Sequence, residues 1–264
     1  NDTTIEITTD ATYGTLVDND NGTVTYTHDG TENFSDTFQY RVMDDDTAYS
    51  NIATVTITIT EVNDAPVAND DSGSVDEGQS VSIDLTDNDT DIDGTINDTT
   101  IEITTDPTYG TIVDNDDGTV TYTHDGTENF SDTFQYRVQD DDGAYTNIAT
   151  VTVTVTEVND APVANDDSDN VDEGQSVTID LTDNDTDIDG TIDDTTVDIA
   201  TNPTYGTVVD NDNGTVTYTH DGTENLSDTF QYRVQDDDGA WSNIATVTIT
   251  ITEVNDDPVA NDDS

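Results

Sequence analysis

Glu157-Val158-Asn159-Asp160-Ala161-Pro162-Val163-Ala164-Asn165-Asp166-Asp167-Ser168 closes one run of alternating residues and opens the next. The same words stand at Glu61 to Ser72 and, with Asp257 in place of alanine, at Glu253 to Ser264, so the segment returns every 96 residues. His28, His124 and His220 keep that spacing without a gap. So do Arg41, Arg137 and Arg233, and Tyr49, Tyr145 and Trp241. A unit of this length suits one small β domain. The chain reads as a partial unit at 1–60, whole units at 61–156 and 157–252, and the start of another at 253–264. Two explanations stand for the short first unit. Either the sequence is a window on a longer array, or a neighbour supplies the early strands by strand addition.

Working outward through 61–156, Val81, Ile83 and Leu85 alternate with polar residues, and Ile101 and Ile103 do the same. Val120 and Tyr122 share one parity, as do Phe134, Tyr136 and Val138. From Ala149 to Thr156 the valines point to one face and the threonines to the other. A period of two is the signature of half-buried strands. Pro66 to Asp70 reads as an extended lead-in suited to an edge, Pro107 to Gly110 as a turn, and Asp117-Gly118 as a two-residue hairpin turn. About seven short strands per unit, with no helical periodicity, predict an all-β tandem array of antiparallel sandwiches.

The formal charge is −59, from 62 acids against three bases, all of them arginine. Such a field repels phosphate and excludes nucleic acid and anionic membranes as partners. No apolar run is long enough to cross a bilayer, so membrane insertion is not expected. There is no cysteine, hence no disulfide. The field also opposes compaction, which multivalent cations at defined sites or a screening brine would relieve.

The acids gather in loops. Asp89-Thr-Asp91-Ile-Asp93-Gly94 carries the first half of a calcium loop, repeated at Asp185, Asp187 and Asp189. The twelfth position is Thr100, so a bidentate ligand must come from elsewhere. A second cluster is Asp140-Asp-Asp142-Gly143, with copies at Asp236 to Asp238 and, lacking the glycine, at Asp44 to Asp46. A third is Asp125 to Glu128, with Asp132 nearby, and its copies are Asp29 to Glu32 and Asp221 to Glu224. The fourth is the joint itself: Glu61, Asn63 and Asp64 with Glu77, and Glu157, Asn159 and Asp160 expected to face Glu173. Crowded carboxylates without bases call for a hard, oxygen-preferring cation, and calcium is the expected ion.

Glu-Val-Asn-Asp-Ala-Pro resembles the linker of cadherin-type repeats, Asp-x-Asn-Asp-Asn-x-Pro. Asp125 to Glu128 looks like the place of the Leu-Asp-Arg-Glu motif, and Asp140 to Gly143 like the Asp-x-Gly turn before the last strand. Tyr122 to Glu128 followed by Ser131 to Tyr136 is similar to cadherin-like repeats of the chondroitin-sulfate-proteoglycan type and of giant prokaryotic surface adhesins. The linker is one residue shorter, Ala65 and Ala161 replace a ligand asparagine, and the arginine of the motif is absent. The resemblance covers the whole chain. It implies calcium ions at the junctions, contacts between neighbouring repeats, and an extracellular, cell-surface rod, stalk or fibre.

Other signals point to other readings. The mid-unit ends suggest a filament subunit joined head to tail with copies of itself by strand complementation. Tyr49, Tyr145 and Trp241 suggest a glycan or partner platform, or an aromatic covering the sandwich end. The histidines fall in separate units, so one zinc cannot collect them. No local arrangement suggests a catalytic triad, and an enzyme is not expected.

Overall fold

β-Branched and aromatic residues at every second position leave the chain no alternative to strands, and all the described elements are strands. A computed structural model describes residues 4–255. From residue 256 on, the further unit read at 253–264 lies outside the described residues. Two compact units form, Asn1–Asp125 with Ser131–Val155, and Gly126–Phe130 with Thr156–Ser264.

The first unit begins with β1 (Ile5–Thr9), β2 (Gly14–Asp18), β3 (Val24–His28), β4 (Ser35–Val42) and β5 (Ala53–Thr58). They make one sheet of order β1-β4-β5 and a β2-β3 ribbon. β6 (Asp71–Asp76), β7 (Ser80–Asp84), β8 (Ile96–Thr105), β9 (Gly110–Asp114), β10 (Thr119–His124), β11 (Ser131–Asp140) and β12 (Ala149–Thr156) follow. Their sheets have the orders β6-β12-β11-β8 and β7-β10-β9. The second unit repeats this with β13 (Asp167–Asp172), β14 (Ser176–Asp180), β15 (Ile192–Thr201), β16 (Gly206–Asp210), β17 (Thr215–His220), β18 (Ser227–Asp236) and β19 (Ala245–Thr252). Its sheets are β13-β19-β18-β15 and β14-β17-β16.

The alternating positions form the core. Leu85, Val120, Tyr122, Phe134, Tyr136 and Val151 are fully buried, and each such side chain contributes roughly 1.5–3 kcal/mol by leaving water. β6 and β13 were not expected, because their inward positions in β6 are Asp71, Gly73 and Val75, which carry little apolar signal. β13 pairs with β19 in parallel. Gly73 keeps the strand close: a Cβ there would stand 2.7 Å from Ile83.

The expected two-residue hairpin is a four-residue loop, Asn115 to Gly118, between β9 and β10. The left-handed residues are Asp116 (φ 59°) and Gly118 (φ 87°), not the Asp117-Gly118 pair. Asp114 and Asp117 each accept a backbone N–H two residues on, and these consecutive side-chain turns set the longer loop.

Among the described residues, the first repeat has no counterpart of β6 or β7. Its core positions are correspondingly open: Val42 is 39 % exposed, whereas Val138 is 0 %. A cleft of 480 Å³ runs beside Ile5, Tyr40, Val42 and Tyr49, and one of 280 Å³ lies over Phe38, Tyr40 and Val55. Thr47 takes φ 71° where the other repeats have Gly143 and Gly239, a strain of about 1–3 kcal/mol for a residue with a Cβ.

Candidate metal centre

In the first unit, Glu61 to Pro66 connects β5 to β6. Pro66 is buried, and Val67 exchanges two backbone hydrogen bonds with Thr90, of 2.8 and 3.0 Å. That bridge pins the linker to the acid loop. Asn63 then donates its amide to Asp140 Oδ2 at 2.9 Å, and the Asp64 N–H donates to Asp93 Oδ2 at 2.8 Å. Both carboxylate oxygens of Asp91 and Oδ1 of Asp93 are shielded from water yet accept no hydrogen bond. Unpaired buried carboxylate oxygens are costly.

Their neighbours are acids. Burial, then the Asp93 carboxyl, raises the Asp91 pKa, with the charge of Asp140 adding to it. Asp140 stays ionised: the Asn63 amide and three backbone N–H groups hold its pKa below the usual carboxylate range. Glu32, Glu61 and Asp93 bring carboxylate oxygens within 4.8 Å of one another. Burial, then the charges of Asp64, Asp93 and Glu61, raises the Glu32 pKa. Gly94 permits the crowding, since a Cβ there would stand 2.6 Å from Asp141 Oδ1 and 2.7 Å from Asp91 Oδ2.

The second unit repeats the arrangement. Asn159 donates to Asp236 Oδ2 at 3.0 Å, and the Asp160 N–H donates to Asp189 Oδ2 at 2.8 Å. Both oxygens of Asp187 and Oδ1 of Asp189 are likewise shielded and accept no hydrogen bond. Glu157, Asn159, Asp189 and Asp238 line one cleft of 430 Å³. Glu128 brings a carboxylate oxygen within 4.8 Å of one from Asp160.

Several residues expected at the centre lie elsewhere. Asp89 does not converge with Asp91 and Asp93. Its Oδ1 accepts the Asn69 N–H at 2.8 Å and meets the Tyr136 hydroxyl at 3.3 Å. Asp185 does the same with Asn165 and Tyr232. A buried tyrosine hydroxyl needs an acceptor, and it draws the first acid out of the loop. Glu173 does not face Glu157. Its N–H donates to Thr252 O at 2.9 Å and its Oε2 accepts from Val254 N at 3.4 Å, so it sits where the last strand of its own sandwich ends. Glu77 lies in the corresponding β6–β7 turn, next to the Gly78 N–H that donates to His124 Nδ1.

Asp29 and Asp221 cap turns through the backbone and hydroxyl of Thr31 and Thr223. These bonds, the hydroxyl first, hold both pKa values below the usual range. Asp125 stands 3.9 Å from His124 Nε2, and Glu224 is exposed. Asp44 Oδ1 accepts the N–H groups of Asp46 and Ala48. Asp142 is exposed and donates its N–H to Asp140.

Two features escaped the sequence. Asp132, read with the acid clusters, is a buried staple. It accepts from Thr108 N, Tyr109 N, Thr133 N and the Tyr122 hydroxyl at 2.8–3.0 Å. The other is a stack of cation on ring: Arg41, Arg137 and Arg233 lie over Tyr49, Tyr145 and Trp241 at 3.7, 4.0 and 4.3 Å. The same guanidinium groups pair with Glu6, Glu102 and Asp198, so none of the three bases neutralises the acid centre.

Outside the centre, Asp71 and Asp89 share the Tyr136 hydroxyl. Burial is the main cause pushing Asp71, and likewise Asp167 in the third repeat, from 3.8 up to about 6. A folded pKa above the unfolded one means that the contribution is full below about pH 4 and is lost as pH rises through about 6. With partial exposure discounted, the effect is on the order of 1 kcal/mol. Urea unfolding at pH 4 and pH 7 should therefore show wild-type stability falling more across this range than that of Asp71→Asn with Asp167→Asn. Equal falls would remove Asp71 and Asp167 as the titrating pair.

Two sequence comparisons address family. The model of the bacterial cadherin-like domain matches residues 63–157 and 159–253. That of the bacterial Ig domain matches residues 1–58. No curated protein matches the chain. Among solved structures, the human desmocollin-1 ectodomain aligns at 13 % identity and TM-score 0.41, over 96 % of this chain and 55 % of that one. Drosophila N-cadherin EC1-4 aligns at 15 % and 0.43, over 94 % and 67 %. An endo-fucoidan hydrolase of glycoside hydrolase family 107 aligns at 17 % and 0.32, over 95 % and 39 %. The chain thus spans about half of the desmocollin ectodomain. Cadherin-like and Ig-like domains are typically structural modules of surface or extracellular proteins, and among the described residues no helix is long and apolar enough to cross a membrane. Two tandem matches over most of the sequence carry the assignment: the chain belongs to the bacterial cadherin-like domain family.

Proposed function

We propose that the chain is a calcium-stabilised structural repeat segment of an extracellular adhesin or matrix protein, forming a rod, stalk or fibre. Its units are proposed at 1–60, 61–156, 157–252 and from 253 on. The observation that carries the reading is the set of water-shielded oxygens of Asp91 and Asp93, unpaired with any donor and gathered with further carboxylates. Glu32, Glu61, Asp91 and Asp93 would hold the ion, with Asp64 and Asp140 completing the charge. The donor set is all oxygen, as calcium prefers.

Calcium would supply the positive charge that the three arginines do not. Asn63 and the Asp64 N–H, bonded to Asp140 and Asp93, orient the acids and fix the linker against the loop. Ion binding would then turn a self-repelling hinge into a stiff joint. Calorimetric titration of the metal-free chain with calcium tests this. We expect binding at about 10⁻⁴–10⁻³ M, and Asp91→Asn with Asp93→Asn should remove one class of sites while the Asp187 and Asp189 class remains. An unchanged isotherm in that variant would defeat the assignment.

A further inference from the structure

β9 ends the sheet β7-β10-β9, and β16 ends β14-β17-β16. In an antiparallel ladder, a strand turns its N–H and C=O groups toward one neighbour at every second residue. The parity of β9 is fixed at both ends. The Asn115 N–H donates to Thr119 O at 3.1 Å, and the Asp125 N–H to Tyr109 O at 2.9 Å. Odd-numbered residues therefore face β10, and Gly110, Ile112 and Asp114 turn their backbone groups away from it. β16 repeats the parity through Asn211 with Thr215 and Asp221 with Tyr205, so Gly206, Val208 and Asp210 face outward. Among the described residues, no strand pairs with these two edges.

The edges are also unguarded. A free edge is commonly blunted by a bulge, a proline or a lysine. β8 and β15, which end the other sheets, are bulged. β9 and β16 pair without a shift of register, and neither contains proline or lysine. Each presents a valine to solvent: Val113 is 61 % exposed and Val209 60 %. Ile112 and Val208 turn the other way and pack against the core.

We propose that β9 and β16 accept an extended basic segment of another polypeptide, which adds a strand to the sheet. Its main chain would meet the outward N–H and C=O groups of Gly110, Ile112 and Asp114. Side chains alternate across a strand. Lysines or arginines at one parity would reach the side of Asp114, and β-branched residues at the other would lie beside Thr111 and Val113. Charge selects the occupant: a chain of formal charge −59 opposes a second copy of itself and favours a segment that carries cations. Asp106, Asp114, Asp116 and Asp117 surround β9, whereas Asn202 and Asn213 replace two of these acids around β16, so β9 should be the stronger acceptor. None of the acids proposed to hold calcium lies on either strand, so the edge stands apart from the metal reading.

Amide hydrogen exchange of the full chain, read by NMR at physiological salt with calcium present throughout, tests the edge. The probe is the peptide Lys-Val-Lys-Val-Lys-Val-Lys, and its control is the same peptide N-methylated at every amide, which keeps the charge and loses the main-chain donors. In the free chain, Gly110, Ile112 and Asp114 should exchange fast, and Thr111 and Val113 slowly. The probe should slow the fast set by about tenfold or more, with half the effect on the order of 0.1 mM peptide. Gly206, Val208 and Asp210 should follow at higher concentration, and the control should change neither set. The proposal is overturned if both peptides protect alike, if neither protects, or if protection falls on other amides. Protection that rises with chain concentration alone would overturn it too, by giving the edge to a second copy.

Discussion

Chelating calcium at constant ionic strength should lower the melting temperature of the chain by about 10 °C or more, measured from 10 mM calcium. A site with a dissociation constant of about 10⁻⁴ M, in hundredfold excess of ligand, stabilises the folded form by about 2.7 kcal/mol. For a domain of this size, each kcal/mol moves the midpoint by roughly 4–8 °C. The expectation rests on Asp91 and Asp93, whose shielded oxygens have no hydrogen-bond partner of good geometry and face further acids. Without an ion, folding forces like charges together in a water-poor space, and the ion reverses the sign of that term. Magnesium should recover less, because it demands six near-ideal ligands and keeps its waters. Scanning calorimetry with calcium, with magnesium and with chelator in sodium chloride decides the matter. Identical midpoints in all three would leave the acids as a field screened by salt alone.

Asp132→Ala is expected to destabilise the second repeat by about 4 kcal/mol, and Asp228→Ala should do the same in the third. One Asp132 carboxylate receives three backbone N–H groups and the buried Tyr122 hydroxyl. Removing it strands three backbone donors, two of them at the turn that leads into β9, and leaves the Tyr122 hydroxyl only the Tyr109 carbonyl at 3.3 Å. Each donor left unpaired costs about 1–3 kcal/mol where water cannot reach, and less where the loop can relax. Asp132→Asn keeps the shape and half the acceptor capacity, so it should cost less than half as much. Urea unfolding of the three proteins checks the order. A loss below 1 kcal/mol for alanine would mean that water enters and satisfies the turn.

Much of the fold was legible because burial writes itself as alternation. Val120, Tyr122, Phe134 and Tyr136 mark inward faces, and the structure buries all four. The 96-residue recurrence fixed the comparison between copies. β6 stayed hidden because a strand that packs through a glycine and an acid carries no such pattern. The acids were harder to sort, since aspartate looks the same whether it caps a turn, staples a core or crowds a cation. Asp29 serves Thr31, Asp132 serves a buried tyrosine, and Asp89 serves another. Only donors distant in sequence separate these roles. Glu173 was misplaced for a related reason: adjacency to the linker in sequence suggested adjacency in space, but one strand carries it to the far end of its sandwich.

The placement of the three arginines has a consequence for digestion. With no lysine, a protease that cleaves after basic residues has three addresses in 264 residues. Each lies inside a strand, in β4, β11 and β18, with its guanidinium under an acid pair and against a ring. Such an enzyme needs a locally unfolded substrate, so cleavage at Arg137 reports the opening of a whole sandwich. The chain is built to resist that class of protease through the scarcity and placement of its cutting sites.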